Sequence, residues 1–102
     1  MIIKRTQQNL NNQILNKMKR ETLIKNLEKK GIIVRGTTEE FNNVDGGIWI
    51  SAECLENEYY FDYYAESRAF ELGVRITLDD FLSKRGWYAE WNDPGTIMLW
   101  EI

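Results

Sequence analysis

The sequence predicts a single α+β domain: an antiparallel sheet of about five strands with helices at 7–30 and 78–85, in the order α-β-β-β-α-β-β. Three observations carry this. The chain has 102 residues, enough for one core, and its 43% apolar and 13% aromatic content gives that core ample material. Its first thirty residues contain neither Gly nor Pro, as a helix allows. Beyond Gly31, short runs of β-branched and aromatic residues alternate with turn residues, the pattern of strands.

Within the N-terminal helix, Leu10, Ile14 and Met18 recur every four residues. Leu23, Ile24 and Leu27 fall on roughly the opposite side at about 100° per residue. One straight helix would face two ways, so the chain is expected either to break between Lys19 and Thr22 or to pack its first half away from the core. The Gln/Asn-rich stretch from Gln7 to Asn16 also lets residues 1–20 be read as a mobile basic arm. Gly31 stops the helix, and Lys29 and Lys30 suit the negative end of its dipole.

Ile32 to Arg35 reads as the first strand, and a polar loop from Thr37 to Gly46 leads to the second at Gly47 to Ala52. Tyr59 to Ala65 is expected as a third, on the preference of aromatic residues for strands. The helix at 78–85 has Thr77 as its expected N-cap, Asp80 in the capping-box position, Ile76 and Phe81 as a hydrophobic staple and Gly86 as its stop. Trp87 to Trp91 and Thr96 to Ile102 complete the sheet, joined through Asn92-Asp93-Pro94-Gly95, where Pro94 and Gly95 specify a type II turn.

An internal similarity runs through these elements. Residues 22–35 (TLIKNLEKKGIIVR) and 77–90 (TLDDFLSKRGWYAE) share Thr, Leu, Leu, Lys and Gly at equivalent places. Each stretch is followed by a turn bearing Asp and Gly and then an apolar strand. The sequence supports either two duplicated αββ units with an added strand between them, or simply the common grammar of a short helix, a glycine stop and a strand.

Composition removes much chemistry. There is no histidine, one cysteine (Cys54) and one proline (Pro94). Histidine-based acid/base catalysis, Ser-His-Asp and Cys-His nucleophiles, Cys/His zinc sites and an internal disulfide are thereby excluded. An active site would have to rest on carboxylates, such as Asp62 with Glu66 or Glu53 with Glu90, in a cleft that raises one pKa. Cys54 lacks the cationic neighbours that activate a thiol, and Asp45-Gly46-Gly47 is too short and too acidic for a phosphate loop. The chain is therefore expected to be non-enzymatic, with no cofactor and no metal. No apolar run approaches the roughly 18 residues of a membrane span, and the lone thiol fits a reducing, cytoplasmic compartment.

Charge is polarised along the chain. Residues 1–30 carry eight Lys or Arg against two Glu, a net +6; residues 31–102 carry five against fourteen, a net -9, and the whole chain sums to -3. Strand alternation assigns Tyr59, Phe61, Tyr63 and Ala65 to the core and Tyr60, Asp62, Tyr64 and Glu66 to the opposite face. Trp49, Ser51 and Glu53 share that face, and Trp100 joins it from the last strand, where Met98, Trp100 and Ile102 oppose Ile97 and Leu99. A strand apolar on both sides is covered on both sides, by the N-terminal arm or by a partner.

Trp49, Glu53, Glu56, Glu58, Tyr60, Asp62, Tyr64, Glu66 and Trp100 are thus the expected binding residues. Together they would form an acidic, aromatic surface for a basic protein partner, one that handles nucleic acid being the natural target. By physical type the chain resembles small acidic inhibitors and immunity-type antagonists, some of them carried by phage or mobile elements. The competing reading makes the aromatic face a second core layer under the N-terminal helix. Nucleic-acid binding through that basic helix is a further alternative, opposed by the acidic body. A homo-oligomer through Met98, Trp100 and Ile102 is the last.

Overall fold

The computed structural model describes residues 17–102. The first part of the expected long helix and most of the expected arm lie outside the described residues. Among these residues, three helices, a four-stranded antiparallel sheet and a small two-stranded sheet make up an α+β fold. In chain order these are α1 (Arg20–Lys29), β1 (Val34–Thr37), α2 (Thr38–Asn42), β2 (Ile48–Ser51), a 3₁₀ turn (Leu55–Asn57), β3 (Phe70–Glu71), β4 (Val74–Arg75), α3 (Ile76–Ser83), β5 (Trp87–Asp93) and β6 (Thr96–Glu101). None of the described helices is long and apolar enough to cross a membrane.

The main sheet runs β1-β2-β6-β5, antiparallel throughout. One of its faces carries Ile48, Ile50, Ile97, Leu99, Trp87 and Ala89, and on this face α1 buries Leu23 and Leu27 while α3 buries Leu78 and Leu82. Phe61 and Val74 close the same core. The two-residue alternation of β2, with Ile48 and Ile50 in and Trp49 and Ser51 half-buried on the other side, follows its sequence pattern.

The two similar stretches occupy equivalent places. β2 and β6, each the last strand of its unit, pair antiparallel at the sheet centre, with β1 and β5 outside them. This strand order is the one that two αββ units joined through their last strands would give. Gly31 and Gly86 stop the two helices with φ of 89° and 82°, a left-handed conformation that glycine adopts without a Cβ penalty. The residues after them, Ile32 and Trp87, are both buried. The units differ in their connections: α2 occupies the loop between β1 and β2, whereas β5 and β6 are joined by a tight turn.

Several boundaries depart from the sequence expectation. Helix α1 starts only at Arg20, with Lys19 extended at its N-cap, so it does not run on through residues 17–19 as one helix from residue 7 would. The preceding residues are clipped onto the start of β5: the Met18 N–H donates to the Arg85 carbonyl (2.9 Å), and the Trp87 indole N–H donates to the Met18 carbonyl (2.7 Å). Strand β1 is displaced to 34–37, because the backbone of Ile33 is engaged instead by the Asn57 side chain.

Helix α3 begins at Ile76 and ends at Ser83, two residues earlier than expected, with Arg75 as its N-cap. Thr77 is an exposed residue inside the first turn and does not cap it. The cause lies upstream, where a hairpin of β3 and β4 turns at Leu72 (φ 52°) and Gly73 (φ 79°) and delivers an extended Arg75 straight into the helix. The loop at 37–46 likewise contains α2, opened by a capping box in which Thr37 Oγ1 accepts the Glu40 N–H (3.2 Å) and Glu40 Oε1 accepts the Thr37 N–H (2.8 Å). At Pro94-Gly95 the type II turn is not formed, because Gly95 lacks the positive φ that type requires. The Asp93 carboxylate takes the Gly95 N–H (2.9 Å) instead, and the ladder shifts register between Trp91 and Asp93.

The largest correction concerns 59–65, which is not a strand. The sheet therefore has four strands and not five. Asn57 closes tight turns through its carbonyl, which accepts the N–H groups of Tyr60 and Phe61 (both 3.0 Å). Asp62 does the same one turn later, its side chain accepting the Tyr64 N–H (3.1 Å) and its carbonyl the Ala65 N–H (3.0 Å). Phe61 alone makes a bridge, to Val74. Turn geometry replaces two-residue alternation, so Phe61 is buried while Tyr59 and Tyr63, expected in the core, are 60% and 46% exposed.

Glu39 ties the ends of this framework together. Its carboxylate accepts the Gly46 N–H (2.9 Å) and an Arg20 guanidinium N–H (2.8 Å), and the same Arg20 nitrogen donates to the Gly47 carbonyl (3.1 Å). The backbone hydrogen bond first, and then Arg20, lower the carboxyl from its usual 4.5 to about 2. A carboxyl depressed by folding stabilises the native state above its unfolded pKa, and that stabilisation is lost as pH falls from about 4.5 through about 2. Glu39→Gln is therefore expected to flatten the acid limb of a plot of urea midpoint against pH across this window. Identical acid limbs for wild type and variant would contradict it.

Candidate functional site

The nine expected site residues do not share a surface; the structure divides them between the sheet's second face and the connection after β2. Trp49 and Trp100 lie on the second face, with Met98 between them in the ladder. Here the aromatic rings are used internally. Phe41 packs on Trp49 at 4.9 Å between centroids, and the Arg35 guanidinium sits 5.2 Å from the Trp49 ring. The Trp100 ring packs over Gly47, and its indole N–H donates to Glu90 (3.0 Å). Burial first, and then the Glu90 charge, push the Tyr88 phenol up. Met98, proposed above for a homo-oligomeric contact, is only 3% exposed within its own chain, which removes it as an interface residue. Ile102 is half-buried, and its N–H donates to Gly86 (2.8 Å).

Tyr60, Asp62, Tyr64 and Glu66, expected beside Trp49 and Trp100, belong instead to the irregular connection between β2 and β3, because 59–65 never joins the sheet. Asn57 anchors this connection. It is fully buried, its Oδ1 accepts the Ile33 N–H (2.8 Å), and its Nδ2 donates to the carbonyls of Ile33 (3.0 Å) and Ser51 (2.9 Å). A second anchor is Trp91, whose indole N–H donates to the Leu72 carbonyl (2.8 Å) while Tyr63 meets its ring edge-on at 5.1 Å. Tyr60 packs half-buried against the core, so it is a support more than a contact residue.

Between this connection and the β5–β6 turn lies a cleft of about 300 Å3. Ala52 and Pro94 line it together with Glu58, Asp62, Tyr63 and Tyr64, and the buried Phe61 ring reaches its base. Glu53 is adjacent, its carboxyl against Gly95. Glu66 is exposed four residues beyond Asp62. Glu56 is diverted: it accepts the Cys54 thiol hydrogen (2.9 Å), which lowers the Glu56 carboxyl and, with burial, raises the thiol. Cys54 is thereby held in its unreactive, protonated form.

The charge pattern around the cleft is one-sided. Residues 36–67 hold eight Asp or Glu and no Lys or Arg. Of these eight, Glu39 alone has an ion pair among the described residues, with Arg20 at 2.8 Å. Among the described residues, no group of three His, Cys, Asp or Glu is placed to hold a metal ion. The cleft residues missed by the sequence reading are Ala52, Phe61, Tyr63 and Pro94. Asn57 and Asp62, both turn formers, were the available signal that this segment folds back on itself. Compared with protein-family models, with curated proteins and with solved structures, the chain has no match in any of the three.

Proposed function

We propose that the chain is a non-enzymatic binding protein of the cytoplasm that docks a basic protein partner. Its docking surface is the acidic, aromatic connection at 53–66 in place of the sheet face. The observation that carries this reading is the run of carboxylates at 36–67 with no Lys or Arg among them, set beside a tyrosine that is left open: Tyr64 is 74% exposed. Tyrosines anchor interfaces, and carboxylates around them select a Lys/Arg-rich partner and speed its capture. An acidic surface of this kind suits an antagonist that occupies a groove built for phosphate, hence an inhibitor- or immunity-like role toward a nucleic-acid-handling protein.

The nucleic-acid alternative has less support. Arg20 is spent on Glu39, while Lys30 and Arg85 lie over the Phe81 ring at 4.3 and 3.7 Å. The double variant Asp62→Lys, Glu66→Lys is expected to lose capture of the native partner in a pull-down while its circular dichroism stays that of wild type and its thermal midpoint falls by no more than the loss of the Asp62–Tyr64 turn hydrogen bond. Both positions are exposed and the one side-chain hydrogen bond lost is itself exposed, so the fold survives the exchange. Capture that is unchanged, or a captured protein without a basic surface, contradicts the proposal.

A further inference from the structure

The chain's own cations show what its aromatic rings attract. Arg75 lies 3.7 Å from the centroid of Tyr59 and 4.7 Å from that of Phe70, Arg85 lies 3.7 Å over Phe81, and Arg35 lies 5.2 Å from Trp49. Three arginines are thus stacked on aromatic faces, the arrangement favoured by a planar, weakly hydrated guanidinium. Tyr63 and Tyr64 carry rings of the same kind with no cation over them among the described residues. They stand edge to face, 5.1 Å between centroids at 79°, and so form two walls set at an angle. The same cleft is lined by Glu58 and Asp62, neither of which has an ion pair among the described residues.

We infer that this cleft is the seat of a single arginine side chain supplied by the partner, its guanidinium stacked on Tyr64 and its N–H groups donated to Asp62 and Glu58. The inference rests on the proposed function and names the contact that anchors it. Size agrees: about 300 Å3 is at the lower limit of small-molecule sites, room for one side chain. Arginine is favoured over lysine because two carboxylates beside a ring offer acceptors to a fork and a face to a plane, whereas an ammonium is a compact, strongly hydrated charge. A quaternary ammonium has no N–H to give the carboxylates.

The test uses the full chain and three capped single-residue probes: N-acetyl-arginine methylamide, its lysine counterpart and its citrulline counterpart, which keeps the shape and loses the charge. Backbone amide shifts are followed by NMR. The arginine probe is expected to move the signals of residues 58–64 saturably, the lysine probe to bind about tenfold more weakly, and citrulline to leave them unmoved. Asp62→Asn and Tyr64→Ala should each abolish the arginine response, and Glu21→Gln, on the exposed side of α1, should not. Equal responses to arginine and citrulline, or shifts confined to another surface, overturn the inference. If Asp62→Lys, Glu66→Lys loses the partner while the arginine probe leaves 58–64 unmoved, the cleft assignment falls and the basic-partner reading stands. If the probe binds the cleft but the double variant keeps its partner, the reverse holds.

Discussion

Asn57→Ala is expected to lower the stability of the fold by about 3 kcal/mol, the lower end of what three orphaned backbone groups cost at roughly 1–3 kcal/mol each. The groups are the Ile33 N–H, the Ile33 carbonyl and the Ser51 carbonyl, all satisfied by one fully buried amide. The lower end applies because Ile33 is 43% exposed, so water can reach part of what is lost. Asn57→Asp separates the hydrogen bonds from the volume. It keeps the acceptor for the Ile33 N–H but sets an oxygen against two carbonyls, so its cost should be greater at neutral pH than in acid. Urea denaturation followed by tryptophan fluorescence measures both. A loss below about 1 kcal/mol for Asn57→Ala would mean that the 52–66 connection is held by something other than this side chain.

Trp87→Ala carries the other large effect, about 3–5 kcal/mol, since the ring is fully buried between sheet and helices. It also strands the Met18 carbonyl, which the indole N–H holds at 2.7 Å. Domains of this size have only about 5–15 kcal/mol in hand, so the loss is a large share of the total and should show as a clear drop in the urea midpoint. Trp87→Phe keeps most of the packing and loses the hydrogen bond, and should cost about 1 kcal/mol. Equal losses for the two variants would show that the hydrogen bond outweighs the ring.

Both positions show which features were legible in the sequence. Trp87 follows a glycine stop and opens an apolar strand, and its burial could be read from that placement; so could Ile48 and Ile50 from alternation, and the paired stops Gly31 and Gly86. Local grammar was sufficient there because each element is specified by its own residues. The stretch 59–65 has strand-forming composition, but it pairs with β4 only at the Phe61–Val74 bridge before the turns at Asn57 and Asp62 bend it away, and strand formation depends on continued pairing more than on propensity. Its course is fixed by Asn57 reaching Ile33, 24 residues away, which no local pattern announces.

The same distinction holds elsewhere. The hairpin at 70–75 turns on Leu72 in a left-handed conformation, a residue with no turn signal. Thr37-Thr38-Glu39-Glu40, by contrast, spells a capping box, a local signal for α2 that the reading of 37–46 as a polar loop passed over. For the candidate site, the residue types were legible and their grouping was not. Carboxylates and tyrosines at 53–66 stood out by composition, but placing them on the sheet depended on a strand that does not form.

The central place of β2 and β6 in the sheet bears on how the chain reaches this fold. β5 and β6 are neighbours across a tight turn, so the C-terminal αββ unit is closed by local contacts. The central pairing of β2 with β6 brings Ser51 to Thr96 and must close the whole intervening chain, including the connection that bears the cleft. Loop-closure entropy makes this the slower and later event. The cleft, with one wall at Ala52 and the other at Pro94, straddles that seam, so its walls meet only when the two halves join.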